Sequence, residues 1–208
     1  MSVQVRPIAP IYKRMRTPKN IFLKNILSHE ECDTLNHKYL NHIQNGWKGY
    51  EYDTRTKGIS LSSPYKVLDI DDSLIVKRLT ESIKANFTEK LEYSHSFLRF
   101  YKNDSHLLLH TDRKGLDITL TVNIGGLENW PIHISNVYTD ESIDLAFSDD
   151  QSVGLKYKED YSSFLIPKGC GVACYAKNFP HWREKLVCND GEYVLQIFYH
   201  WTIIDELS

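Results

Sequence analysis

The feature that most constrains this chain is a change of hydrophobic period partway along it. Leu74, Ile75, Leu79, Ile83 and Phe87 recur three or four residues apart and trace one face of a helix, so the spacing predicts a helix over 73–91. Beyond that point the period shortens, and 97–101, 117–124, 130–134, 164–166, 171–175 and 193–201 read as strands rich in β-branched and aromatic residues. Helices first and then many short strands separated by turns predict an α+β chain. Its β part is a sandwich or barrel, with the helices packed on one outer face.

Upstream, residues 21–27 read as a strand, and Ser28-His-Glu-Glu31 has the form of a capping box, which predicts a helix from there to about Ile43. Residues 1–18 mix Pro and Arg without apolar periodicity and are expected to form an irregular arm. Residues 19–208 then form one domain, with helices mainly in 29–91 and a β core over 96–203. Residues 53–64 are polar and turn-rich, the composition of a surface loop beside a pocket. The formal charge of −2 argues against broad attraction to nucleic acid or an anionic membrane. Neither a membrane-length apolar run nor a secretory signal is evident, so a cytoplasmic location is expected. Cys32, Cys170, Cys174 and Cys188 form no CxxC pair and read as buried thiols.

His110-Thr-Asp112 places two metal-ligating side chains at i and i+2, which share a face if the segment is a strand. Pro180-His181-Trp182-Arg183, well downstream, supplies a third ligand. Two His and one carboxylate leave coordination positions open, which suits Fe(II) that must also hold a cosubstrate and O2. His106, His133 and His200 read as structural histidines, and the large aromatic residues as packing.

Around these residues the sequence resembles the prolyl-4-hydroxylase-like branch of the Fe(II)/2-oxoglutarate-dependent oxygenases. Leu98-Arg-Phe-Tyr101 leads to His110-Thr-Asp112; Thr119-Leu-Thr-Val-Asn123, the Pro167-Lys-Gly169 turn and His181 follow, and 22–33 looks like the opening segment of that branch. The resemblance implies a double-stranded β-helix of the jelly-roll or cupin type, with iron on His110, Asp112 and His181. It also implies that 2-oxoglutarate is decarboxylated to succinate and CO2 while an unactivated C–H bond is hydroxylated. The substrate would be a small molecule, an amino-acid side chain or a peptide.

One departure stands out. Shortly beyond the distal His, where much of this family carries a Lys or Arg for the far carboxylate of 2-oxoglutarate, this chain has Gly191 between Asp190 and Glu192. Arg183 or Arg99 is the expected substitute, since a guanidinium fork suits a carboxylate. Tyr101, which aligns with a tyrosine of the family, and Thr119, Thr121 and Asn123, which share strand parity, complete the candidate cosubstrate site. Two other readings stay open: an Fe(II) oxidase or oxygenase that uses no 2-oxoglutarate, and a non-catalytic β-barrel binding module.

Overall fold

The structure, a computed structural model, describes residues 20–45, 51–52, 61–62, 73–145 and 151–204. The expected arm over 1–18 and most of the polar stretch over 53–64 lie outside these residues. No helix among the described residues is long and apolar enough to cross a membrane.

Strand β1 (Ile21–Leu23) leads to helix α1 (His29–Gln44). Ser28 caps α1 as the sequence predicts: its Oγ accepts from the Glu31 N–H at 3.1 Å, and Glu31 Oε2 accepts from the Ser28 N–H at 2.7 Å. These contacts satisfy amide donors that a helix start otherwise leaves bare. Ser28→Ala is expected to cost ~1 kcal/mol in chemical denaturation, the usual worth of an N-cap hydroxyl. Burial opposes ionisation of Glu31, but its bonds to Ser28 and Arg78 prevail and hold its pKa below the ordinary 4.5. A lowered folded-state pKa stabilises above the unfolded value and less below it. The stability gap between wild type and Glu31→Ala should therefore shrink as pH falls below 4.5.

Short strands β2 (Glu51–Tyr52) and β3 (Leu61–Ser62) pair with each other, and helix α2 (Ser73–Lys84) follows. It stops short of the 91 expected from periodicity. Asn86 Nδ2 donates to the Ser82 carbonyl at 2.8 Å, and the amides of Asn86 and Phe87 both turn back to Ile83. Leu91 already opens strand β4 (Leu91–Tyr101), which runs longer than the predicted 97–101.

The remaining strands are β5 (Leu107–His110), β6 (Ile118–Gly126), β7 (Ile132–Ser135), β8 (Tyr161–Phe164), β9 (Gly171–Cys174), β10 (His181–Arg183) and β11 (Val194–Ile203). The strand predicted over 164–166 thus ends where it was expected to begin. Strands β5 and β10, not recognised in the sequence, are the two that carry the histidine ligands. All pairings are antiparallel and form a five-stranded sheet, β1-β9-β6-β11-β4, facing a four-stranded sheet, β5-β10-β7-β8.

The two faces of the larger sheet have different roles. Ile118, Leu120, Val122 and Ile124 of β6 and Leu195, Ile197, Tyr199 and Trp201 of β11 share a buried cluster with Cys32, Leu35 and Tyr39 of α1 and Leu79 and Ile83 of α2. Trp201 also donates from Nε1 to Thr80 Oγ1 on α2 at 3.1 Å. Each such apolar side chain contributes ~1.5–3 kcal/mol by leaving water, and together they fix both helices on one side. The opposite face looks toward the smaller sheet. Cys32, Cys170 and Cys174 are buried free thiols, and burial pushes Cys32 up to about 11, so it stays protonated at neutral pH.

The turn after β8 shows how the sheets are tied. Cys170 N–H donates to the Pro167 carbonyl at 2.9 Å, closing a turn in which Gly169 has φ +78°. A Cβ there would stand 2.5 Å from the Leu27 carbonyl oxygen. Gly169→Ala is expected to cost ~1–3 kcal/mol, from left-handed strain together with that clash. A lowered midpoint in urea with an unchanged slope would show it.

Candidate metal centre

His110 closes β5 and His181 opens β10, and these residues are register partners across the ladder. Their rings stand 4.3 Å apart, centroid to centroid. His110 Nδ1 lies 2.9 Å from the Leu108 carbonyl and His181 Nδ1 lies 3.3 Å from that of Phe179. A carbonyl only accepts, so each Nδ1 carries the proton and each Nε2 keeps a free lone pair, the arrangement common behind ligating histidines.

Asp112 reaches the same point by a route that strand parity does not describe. β5 ends at His110, and Asp112 lies beyond it, held by its N–H to the Ala176 carbonyl at 3.0 Å. The Thr111 N–H bonds the Ile143 carbonyl at 2.8 Å, which bends the segment. Asp112 Oδ1 is 3.8 Å from Nε2 of both His110 and His181. Donors sharing one first-row ion at ~2.0–2.2 Å stand no more than ~4.4 Å apart, so these atoms fit a single metal. They are the sole group of three His, Cys, Asp or Glu side chains among the described residues that meets such a test.

The electrostatics suit ligation. Burial, followed by the neighbouring His110, lowers the His181 pKa to about 3, so the ring is neutral at physiological pH. Burial opposes ionisation of Asp112 as well, but His181, His200 and His110 and a hydrogen bond from Thr119 outweigh it, and the carboxyl pKa is lowered. Two imidazoles and one carboxylate are the donor set of non-haem Fe(II), with the other positions left open.

The inner face of the large sheet extends the site away from these ligands. Across the β4–β11 ladder His95 pairs with His200, Phe97 with Phe198, and Arg99 with Gln196, giving layers about 6.6 Å apart along the strands. Phe97 stacks on both Phe198 and His200, at 5.1 and 5.0 Å. The Arg99 guanidinium lies over Phe97 and Phe198, at 5.3 and 5.7 Å. Its Nε and Nη1 are buried with no hydrogen-bond partner among the described residues.

Arg183 is held differently. It is 2% exposed, lies 4.6 Å over the Trp130 ring, and donates from Nη1 to the Trp130 carbonyl at 2.5 Å and from Nη2 to Gln196 Oε1 at 3.0 Å. Burial lowers its pKa to about 10 and leaves it charged at neutral pH. Only its Nε, like the neighbouring Tyr101 hydroxyl, is buried without a partner among the described residues.

Three candidate residues on β6 prove to differ. Thr119 donates to Asp112 Oδ2 and so serves the metal ligand, where strand parity had suggested cosubstrate binding. Asn123 is bonded within the fold: its amide donates to the Ile166 carbonyl at 2.8 Å and its Oδ1 accepts from Gly125 N–H at 3.0 Å. Thr121 is buried between them in sequence. The sequence reading took His200 as a structural histidine; its Nδ1 meets Thr119 Oγ1 at 2.9 Å, and its parity with Gln196 and Phe198 on β11 was the available signal for a place beside the site. His106 and His133 lie elsewhere, bonded to the Asp104 carbonyl and Ser163.

No protein-family model and no curated protein matches this chain. Solved structures do. The epimerase SnoN in complex with Fe3+, alpha ketoglutarate and nogalamycin RO aligns with TM-score 0.68 and 9% identity, over 90% of this chain and 80% of SnoN. EctD from S. alaskensis in its apoform gives 0.66 and 13%, over 90% and 74%. A Pseudomonas putida prolyl-4-hydroxylase gives 0.56 and 11%, over 91% and 95%. The chain therefore has the fold of these proteins, a double-stranded β-helix with two helices on the outer face of its larger sheet.

Proposed function

We propose that this protein is a non-haem Fe(II)- and 2-oxoglutarate-dependent oxygenase that hydroxylates a C–H bond of a small molecule or an amino-acid side chain. The observation that carries the reading is the convergence of His110 Nε2, His181 Nε2 and Asp112 Oδ1. SnoN, with the same fold, is described with iron and alpha ketoglutarate, and the prolyl-4-hydroxylase acts on an amino-acid side chain as its name states. When bound, the iron and 2-oxoglutarate supply the oxidation: O2 is consumed, one oxygen atom enters the substrate, and the other leaves in succinate as 2-oxoglutarate loses CO2.

The chain's own residues bind and orient. Arg99, two ladder layers along the inner face from His200, presents unpartnered N–H groups and is the better anchor for the far carboxylate of 2-oxoglutarate. Arg183 has both Nη groups committed to Trp130 and Gln196. Neither guanidinium has a carboxylate partner among the described residues, and each keeps at least one buried N–H group without an acceptor, which is costly. A dicarboxylate would supply the missing charge. The Phe97, Phe198 and His200 rings form a wall that keeps water from the reacting centre.

An anaerobic titration with Fe(II) and then 2-oxoglutarate tests both components. One equivalent of Fe(II) should bind, and 2-oxoglutarate should then produce a visible metal-to-ligand charge-transfer band; on admitting air, succinate should form slowly even without substrate. Iron binding with neither band nor succinate would remove 2-oxoglutarate from the proposal.

A further inference from the structure

We propose that Thr119 and His200 are positioning residues, which hold Asp112 so that Oδ1 faces the metal site and Oδ2 is turned away from it. The inference rests on the metal reading above and goes beyond it by giving the two carboxylate oxygens different tasks. Thr119 and His200 are direct cross-strand partners on β6 and β11. Thr119 Oγ1 bonds Asp112 Oδ2 on one side and lies 2.9 Å from His200 Nδ1 on the other.

The direction of these bonds follows from proton counting. An ionised carboxylate has no proton to give, so the single Thr119 hydroxyl proton goes to Oδ2. The Thr119 oxygen must then accept, and His200 Nδ1 must donate. His200 is thereby fixed as the tautomer protonated at Nδ1, with a bare lone pair at Nε2. That assignment makes His200 Nε2, which is buried with no hydrogen-bond partner among the described residues, a bare acceptor and not an unpaired donor. The ring is clamped by Phe97 at 5.0 Å and His95 at 5.1 Å.

The consequence is a coordination number. A carboxylate with both oxygens free can chelate an ion through both, taking a position that a cosubstrate needs. With Oδ2 committed to Thr119, Asp112 binds through Oδ1 alone, and three ligand atoms leave three positions of an octahedron open.

Anaerobic Co(II) titration of the full chain, read by affinity and by the visible d–d spectrum, tests this without turnover. Thr119→Val should weaken Co(II) binding ~10–100-fold, the usual worth of a ligand's hydrogen-bond partner, and should shift the d–d bands as the second carboxylate oxygen is released. Thr119→Ser, which restores the hydroxyl, should recover both readouts. His200→Asn, whose amide can donate from nearly the position of Nδ1, should stay close to wild type, whereas His200→Phe should resemble Thr119→Val. Because the bonds run in series, the double variant Thr119→Val/His200→Phe should be no weaker than Thr119→Val alone. Wild-type affinity and spectrum in Thr119→Val, or a loss in Thr119→Ser equal to that in Thr119→Val, would overturn the assignment. If Thr119→Val does not fold, the His200→Asn and His200→Phe pair decides it: equal behaviour of the two refutes the relay. A wild-type chain that binds no Co(II) would instead refute the metal reading itself.

Discussion

Asp112→Asn is expected to lower Fe(II) affinity more than ~100-fold, because even a hydrogen-bond partner of a metal ligand is worth ~10–100-fold and Asp112 touches the metal directly. Asn keeps the shape but has one oxygen, so it either faces the metal or accepts from Thr119, and the negative charge is lost in both cases. His110→Ala and His181→Ala should be as severe, since each removes one of the two Nε2 donors that stand 3.8 Å from Asp112 Oδ1. Turnover should fall with occupancy in all three. His133→Ala and His106→Ala serve as controls, as these rings are bonded to Ser163 and the Asp104 carbonyl, outside the centre. Tight Fe(II) binding by Asp112→Asn, measured anaerobically, would sink the ligand assignment.

The second large effect separates the two arginines. Arg99→Met retains an apolar stem over Phe97 and Phe198 but deletes a guanidinium with buried, unpartnered Nε and Nη1. Affinity for 2-oxoglutarate should fall by ~2–5 kcal/mol, the range for truncating one member of a buried, hydrogen-bonded charge pair, while Fe(II) binding is kept. Stability of the ligand-free protein should hold or rise, because two buried donors without partners are removed. Arg183→Met should behave in the opposite way. It strips donors from the Trp130 carbonyl and Gln196 Oε1 and ends the stacking on the Trp130 ring. Orphaned buried acceptors cost ~1–3 kcal/mol each, so the expected signature is a fall in the unfolding midpoint. Isothermal titration with 2-oxoglutarate alongside thermal unfolding of both variants distinguishes the roles. If Arg183→Met folds normally and loses 2-oxoglutarate while Arg99→Met retains it, the anchor is Arg183.

What the sequence made legible was local. Ser28 and Glu31 announce α1 because a capping box needs only its own four residues. The metal ligands could be picked out because His110-Thr-Asp112 and His181 stand within a wider resemblance that the His-x-Asp spacing alone does not carry. Strand parity placed Thr119 on the inner face, but it could not say what Thr119 would touch there. Its partner, Asp112, is delivered by a bend that depends on the Ala176 and Ile143 carbonyls. β10 is three residues long, too short for any period to show, and the apolar run in β5 does not alternate. The choice between Arg99 and Arg183 was hidden for the same reason. It turns on Gln196 and the Trp130 carbonyl, which arrive beside Arg183 only once the sheets have formed.

The position of β11 also bears on how the protein comes to exist. It is the last of the described strands in the chain, yet it sits inside the five-stranded sheet between β4 and β6. β4 therefore has no ladder in this sheet to join until β11 has been made, β6 can pair only with β9 on its other edge, and β1 must wait for β9. Contacts between residues so distant in sequence make folding slow, on a scale of ~milliseconds to seconds. A ribosome making this chain would carry β4 and β6 with unpaired edges until β11 emerges. The large sheet would close, and the inner face bearing Thr119, His200 and Arg99 would form, in one late step that joins early and late segments at once.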